Sequence, residues 1–249
     1  MPETAERHSS SADPLKARIA VITGANRGIG FALANALAAA GCHLAITSRT
    51  AANAESAAEK LSVHATRILP LQCDVREELA VARIFEAVKA DFGHIDILIN
   101  NAGHSHAALP IERLSIDVWQ QTLATNLTGT FLCTRAALPL MRKGSTIVNN
   151  ISIVAYQTFP NSAAYIASKA GVLAFTNALR EELRGRGIRV MSLVAGATDT
   201  DIWQQFWPEA PREKMMSPSD VTSVVVAALR MPPEASVEEI KILPTVGKL

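Results

Sequence analysis

The sequence has almost no net charge: 24 Lys+Arg face 23 Asp+Glu over 249 residues, a formal +1. No long-range field gathers a polyanion, so a main role in nucleic-acid binding through phosphate attraction is excluded. Cysteine is scarce as well, with Cys42, Cys73 and Cys133 widely spaced and forming no CxxC pair. That rules out a disulfide framework and offers no metal signature. The three read as small buried residues of a reducing, cytoplasmic setting. Long apolar runs are missing too: the best, such as Val221 to Leu229, fall far below the roughly 20 residues of a membrane span. The opening MPETAERHSSSADPLKAR has acids and serines but no apolar segment, so no secretory signal is read there, and residues 1–14 are expected to form a disordered tail. No repeat, low-complexity block or Pro/Ser linker divides the remainder.

What is present is alternation. Short aliphatic runs, RIAVIT (18–23), HLAITS (43–48), ILPLQCDV (68–75), IDILINNA (95–102), STIVNNIS (145–152), IRVMSLVAG (188–196) and EIKILPT (239–245), lack a polar face, as parallel strands covered on both sides do. Helix-period stretches fill the gaps at 29–40, 53–61, 77–92, 116–141, 163–186 and 219–231. The pattern predicts a single α/β domain over 15–249: a Rossmann-like, doubly wound, seven-stranded parallel sheet with helices on both faces. Residues 197–218 break the rhythm with three prolines and the cluster Trp203, Phe206 and Trp207, and read as a lid over the substrate or as a contact between subunits.

Between the first strand and first helix lies Thr23-Gly24-Ala25-Asn26-Arg27-Gly28-Ile29-Gly30. Glycines there let the chain turn sharply and let a pyrophosphate approach a helix N-terminus, so Gly24, Asn26, Arg27, Gly28, Ile29 and Gly30 are candidate cofactor residues. The spacing is G-x-x-x-G-x-G, and only its place between strand and helix makes the turn more than a structural one. The second strand ends in Thr47-Ser48-Arg49 with no acid to accept from a ribose hydroxyl. Ser48 and Arg49, helped by Arg27, therefore suggest a 2'-phosphate and NADP(H) over NAD(H), unless both arginines are simply solvated. Farther along, Tyr165 and Lys169 share one helix face, and Ser152 ends the fifth strand. A nearby ammonium is expected to lower the Tyr pKa and suit it to proton transfer at a carbonyl or alcohol oxygen.

Together with Asp74-Val75, Asn100-Asn101-Ala102-Gly103 and Asn126, these motifs resemble, in order and over most of the chain, a classical short-chain dehydrogenase/reductase. The resemblance implies a carbonyl/secondary-alcohol oxidoreductase acting on a ketone, 3-oxo or 3-hydroxy compound. By it, Tyr165 is the general acid/base, Lys169 binds the nicotinamide ribose and Ser152 orients the substrate oxygen. Asn126 would hold a water that links Lys169 to solvent. Asp74 and Val75 would hold adenine, while Asn101, Ala102 and Gly103 would close over the adenosine ribose. It also implies a homodimer or homotetramer built through the helices at 116–141 and 163–186.

Two departures stand out. Ala195-Gly196-Ala197-Thr198-Asp199-Thr200 replaces the family's Pro-Gly segment, leaving Gly196, Thr198 and Thr200 to meet the nicotinamide end; Ala155 stands where a glycine is frequent. Neither change touches the proton-transfer groups. The substrate pocket is expected from His104, Ser105, His106, Val154, Tyr156, Phe159, Trp203 and Trp207. The ending EEIKILPT resembles a subgroup with 3-hydroxy acid and serine dehydrogenases more than the 3-oxoacyl-carrier-protein reductases. A reductase of that second kind, a catalytically idle NADP-binding regulator and an epimerase or dehydratase stay open as alternatives.

Overall fold

The computed structural model describes residues 13–247. Seven parallel strands form one sheet: β1 (Ile19–Ile22), β2 (His43–Ser48), β3 (Ile68–Gln72), β4 (Ile95–Asn100), β5 (Met141–Asn150), β6 (Arg189–Ala195) and β7 (Glu239–Ile242). Their order is β3-β2-β1-β4-β5-β6-β7, so the chain winds outward from β1 in one direction and then from β4 in the other. A crevice opens between β1 and β4 at the carboxyl edge, because connections on its two sides leave in opposite directions. This is the expected fold class.

The absence of a polar face in the strands has its cause in the layers above and below. Helices α1 (Gly28–Ala39), α2 (Ala51–Leu61) and α8 (Pro218–Leu229) belong to one flank, where Leu33, Leu37, Leu44, Ile46, Val221 and Val225 are buried together with Ile97 and Leu193. The opposite flank has α3 (Glu78–Phe92), α5 (Gly129–Ala137) and α6 (Ala163–Arg184), with Phe85, Val88, Leu98, Leu132, Ile147 and Leu183 in the core. Each side chain of that size removed from water contributes about 1.5–3 kcal/mol, so both faces of every central strand must be apolar.

The helix expected over 116–141 is not continuous. It consists of α4 (Ile116–Leu123), a π turn (Ala124–Thr128) and α5, followed by a short 3-10 turn at Leu138–Leu140 where Pro139 breaks the helix; β5 already starts at Met141. Two hydroxyls bond back onto the helix carbonyls around the π turn, Thr125 onto Gln121 at 2.9 Å and Thr130 onto Asn126 at 2.7 Å. Gly129 then lies against Val75, so closely that a Cβ would come within 2.7 Å of its Cγ2.

The segment at 197–218 is more regular than expected. Thr198 pairs with Met216 in a parallel bridge, the Asp199 N–H donates to the Met216 carbonyl and the Met216 N–H to that of Ala197. Its ends are thus tied, and the loop proper is 200–215, with the single-turn helix α7 (Trp203–Phe206) in it. Of the expected tail, residues 1–12 lie outside the described residues; Asp13 is fastened to Arg230 at 2.6 Å and Leu15 is fully buried, so the folded body starts earlier than residue 15.

Candidate active site

At the carboxyl edge of the sheet a single cleft of about 1050 Å³ is walled by Gly24, Asn26, Arg27, Gly28, Ile29, Gly30, Ser48, Arg49, Asp74, Val75, Asn101, Ala102, Gly103, Ser152, Tyr165, Lys169, Gly196, Thr198 and Thr200. His104, Val154, Phe159, Trp203 and Trp207 share its walls, as does Ser105. Asn126, His106 and Tyr156, also expected at the site, do not line it. Tyr156 instead hydrogen-bonds Glu239 and carries Lys241 over its ring at 4.9 Å, and the His106 ring meets its neighbour's carbonyl, Ala107 O, at 2.7 Å.

The glycines of the β1–α1 turn have distinct causes. Gly24 (φ +63°) presses on Ala102, where a Cβ would lie 2.9 Å from the Ala102 Cα; Gly30 sits under Asn101, whose Nδ2 would be 2.3 Å from a Cβ. Both are demanded by the protein's own packing. Asn101 welds the turn to β4, its Nδ2 donating to the Thr23 and Gly24 carbonyls at 3.0 Å each, while Asn150 Nδ2 donates to Asn101 Oδ1 at 2.9 Å. Gly28 (φ +57°) occupies a left-handed conformation at the start of α1. The N-terminus of α1 has no side-chain cap and no acid in its first turn, which leaves its N–H groups for an anion. Gly196, expected to give nicotinamide a close approach, is crowded by the end of β7, with Pro244 Cδ 3.1 Å from a Cβ.

The charges of the adenosine end are arranged differently from expectation. Arg27 is not free: its Nη1 pairs with Asp201 Oδ2 at 3.4 Å. Arg49, exposed, makes no side-chain hydrogen bond or ion pair among the described residues. Asp74 is gripped by Arg76, which donates from Nη2 at 2.6 Å and from Nε at 3.0 Å, and this guanidinium holds the Asp74 carboxyl below its usual range. Arg76 was missed in the sequence; its position two residues after Asp74 was the available signal. His104 has Arg49 and Arg76 among its charged neighbours, and burial followed by their repulsion lowers its pKa.

At the other end, Ser152 follows β5 and Tyr165 and Lys169 lie in the first two turns of α6. The Lys169 ammonium is buried, donates to the Asn150 carbonyl at 2.7 Å and stands 5.8 Å from the centre of the Tyr165 ring. Burial brings Lys169 down to about 8. Tyr165 departs from the expected direction: burial raises its phenol, and a hydrogen bond with Ser152 pulls the other way. Loss of hydration outweighs that hydrogen bond. Asn126, on the π turn, spends its amide on protein partners, accepting from the His104 N–H at 2.7 Å and donating to the His104 carbonyl and Ser168 Oγ at 2.9 Å each. It clamps the loop after β4 to α6 and makes no bond to Lys169. Trp203, expected over the substrate, is likewise an anchor, its indole N–H donating to the Thr198 carbonyl at 2.8 Å with Phe206 and Trp207 edge-on to it.

This fold and cleft define a dinucleotide-type oxidoreductase scaffold, and the chain belongs to the short chain dehydrogenase family, whose model matches residues 18–211. It is 38% identical over 200 residues to the D-threitol dehydrogenase of Mycolicibacterium smegmatis, covering 80% of this chain and 76% of that protein. Among solved structures it superposes on an alcohol dehydrogenase from the archaeon Thermococcus sibiricus complexed with 5-hydroxy-NADP, with a TM-score of 0.87, 27% identity and coverage of 94% and 99%. A 3-ketoacyl-(acyl-carrier-protein) reductase from Brucella melitensis complexed with NADH gives a TM-score of 0.83, 29% identity and coverage of 92% and 97%. The protein is accordingly a short-chain oxidoreductase acting on CH–OH groups of small molecules. No helix among the described residues is long and apolar enough to cross a membrane.

Proposed function

We propose that the protein is an NADP(H)-dependent oxidoreductase that interconverts a carbonyl and a secondary alcohol, with Tyr165 as general acid and base. The observation that carries this reading is the meeting of Ser152, Tyr165 and Lys169 on one wall of the cleft whose far end is lined by the uncapped start of α1 and Arg49. The α1 N-terminus and the Gly28 turn would hold the pyrophosphate, Val75 and Ala102 would flank the adenosine, and Lys169 would meet the nicotinamide ribose. When bound, the nicotinamide supplies or accepts the hydride. Ser152 Oγ donates to the substrate oxygen and orients it. The Tyr165 hydroxyl delivers its proton to that oxygen in reduction and withdraws it in oxidation. Burial favours the protonated phenol, and the Lys169 ammonium beside it would resupply the proton that Tyr165 gives up. A water beside Asn126 would connect Lys169 to solvent.

The preference for NADP(H) rests on Arg49, a guanidinium after β2 with no partner among the described residues, and on an Asp74 already paired with Arg76. A 2'-phosphate would give it a charge-assisted, two-pronged partner. The test is a side-by-side measurement of KM for NADPH and NADH in the wild type and in Arg49→Met. NADPH should win in the wild type and lose about ten- to a hundredfold of its advantage in the variant; equal KM values in the wild type would refute the preference. We further propose self-association through α5 and α6, where Phe131 is 41% exposed beside Phe175, to be checked by light scattering.

A further inference from the structure

Among the described residues, every arginine and lysine that lines the cleft stands on its cofactor side: Arg27 in the β1–α1 turn, Arg49 after β2, Arg76 after β3, and Lys169 tied to the Asn150 carbonyl. The rest of the wall, where a substrate must lie to reach Ser152 and Tyr165, includes Val154, Phe159, Ile202, Phe206, Trp207 and the amide of Gln121. The one formal charge there among the described residues is a carboxylate, Asp201, at the base of the loop. Arg212, the nearest cation of that loop, is no part of the wall: it pairs with Asp199 and donates to the Thr200 carbonyl at 2.8 Å. Burial, and then the Arg49 and Arg76 charges, lower the His104 pKa and disfavour its cationic form.

We propose that the substrate is an uncharged ketone or secondary alcohol with an aryl or branched-alkyl arm, and that carboxylates are turned away. The proposal rests on the oxidoreductase reading above and narrows its substrate class, setting aside free 3-oxo and 3-hydroxy acids. A carboxylate enclosed beside Phe159 and Trp207 loses its hydration and meets no free counter-ion among the wall residues described, Arg27 being held by Asp201. An apolar arm withdraws the aromatic surface of Phe159, Phe206 and Trp207 from water. A polyol gains none of this apolar contact, although Gln121, Thr125, Gln204 and Gln205 also line the cleft.

The experiment compares kcat/KM for methyl 4-acetylbenzoate and 4-acetylbenzoate with NADPH and NADH, and for 1-phenylethanol (both enantiomers) and D-threitol with the oxidised cofactors. Tryptophan quenching by the ester and by the acid is measured alongside without cofactor. The ester should exceed the acid by about a hundredfold or more, and phenylethanol should exceed threitol. Acid turnover equal to that of the ester overturns the proposal. Threitol oxidised better than phenylethanol overturns it as well. If none of the four is turned over while the ester quenches and the acid does not, the enzymatic reading fails and the selection against charge stands; if neither quenches, both fail.

Discussion

The two edges of the sheet are built from the same kinds of residue to opposite ends. At the amino edge, arginines are consumed by the fold. Arg189 donates to the carbonyls of Met231, Pro232 and Ala235, Arg186 to those of Leu138 and Met141, and Arg18 to those of Asp96 and Gly144. Several of these carbonyls lie just past helix C-termini, where backbone acceptors are left over and the helix dipole is negative, so a five-donor fork satisfies several at once. At the carboxyl edge helix N-termini face the cleft, Arg49 is unspent and Arg27 holds only an exposed carboxylate. An arginine stabilises the fold where it meets carbonyls, and it is left for a ligand where it meets N–H groups.

The sharpest way to break this division is to mutate the strongest residue of each edge and ask whether stability and activity separate. Tyr165→Phe removes one hydroxyl from the cleft wall and should lower kcat by about a thousandfold, with the melting temperature nearly unchanged. Arg189→Leu strips donors from three carbonyls and from Thr146. It should cost about 2–4 kcal/mol and lower the melting temperature by roughly 5–10 °C, while kcat of the folded enzyme stays at the wild-type value. Loss of activity in the Arg189 variant at a temperature where it is fully folded would mean that the floor transmits to the cleft.

Lys169 is the residue in which the two behaviours meet, because a buried ammonium in the site also bears on stability. Its folded value is about 8 and its ordinary one 10.5. Between those pH values the unfolded chain holds the extra proton, so this group makes the wild type more stable as pH rises through that window. Lys169→Met lacks the effect. Its stability relative to wild type should therefore be most favourable below pH 8 and decline by roughly 3 kcal/mol toward pH 10.5. The buried thiols titrate alike in both proteins and cancel in the difference. Denaturant midpoints across pH 7 to 10.5 check it, and a difference that does not change with pH would show that Lys169 is charged without penalty.

How much of this was legible beforehand differs between the edges for a physical reason. All seven strands were readable because burial on both faces forces uninterrupted apolar runs, and Tyr165, Lys169 and Ser152 were readable because their spacing on helix and strand is local. The π turn was not, since it depends on Gly129 meeting Val75 and on Asn126 reaching His104 and Ser168, contacts between segments far apart in the chain. The same holds for Arg27, which is paired across the cleft with Asp201. Arg76 lay two residues after Asp74, a weak signal, and only the folded loop shows that its guanidinium occupies the carboxylate.

Arg27 gives the finest test of the contrast, because it lines the cleft and is already paired, across it, with the protein's own Asp201. Its pair with Asp201 is exposed on both sides, 59% and 50%, and long at 3.4 Å. A pair of that kind contributes only about 0.2–1 kcal/mol. If it competes with a 2'-phosphate, Asp201→Asn should release Arg27 and lower KM for NADPH about two- to fivefold, leaving KM for NADH where it was. If the carboxylate instead holds the guanidinium in place for the phosphate, KM for NADPH should rise. Parallel changes for both cofactors would assign Asp201 to the loop over the cleft and remove Arg27 from cofactor selection, leaving Arg49 as the arginine at this edge reserved for a ligand.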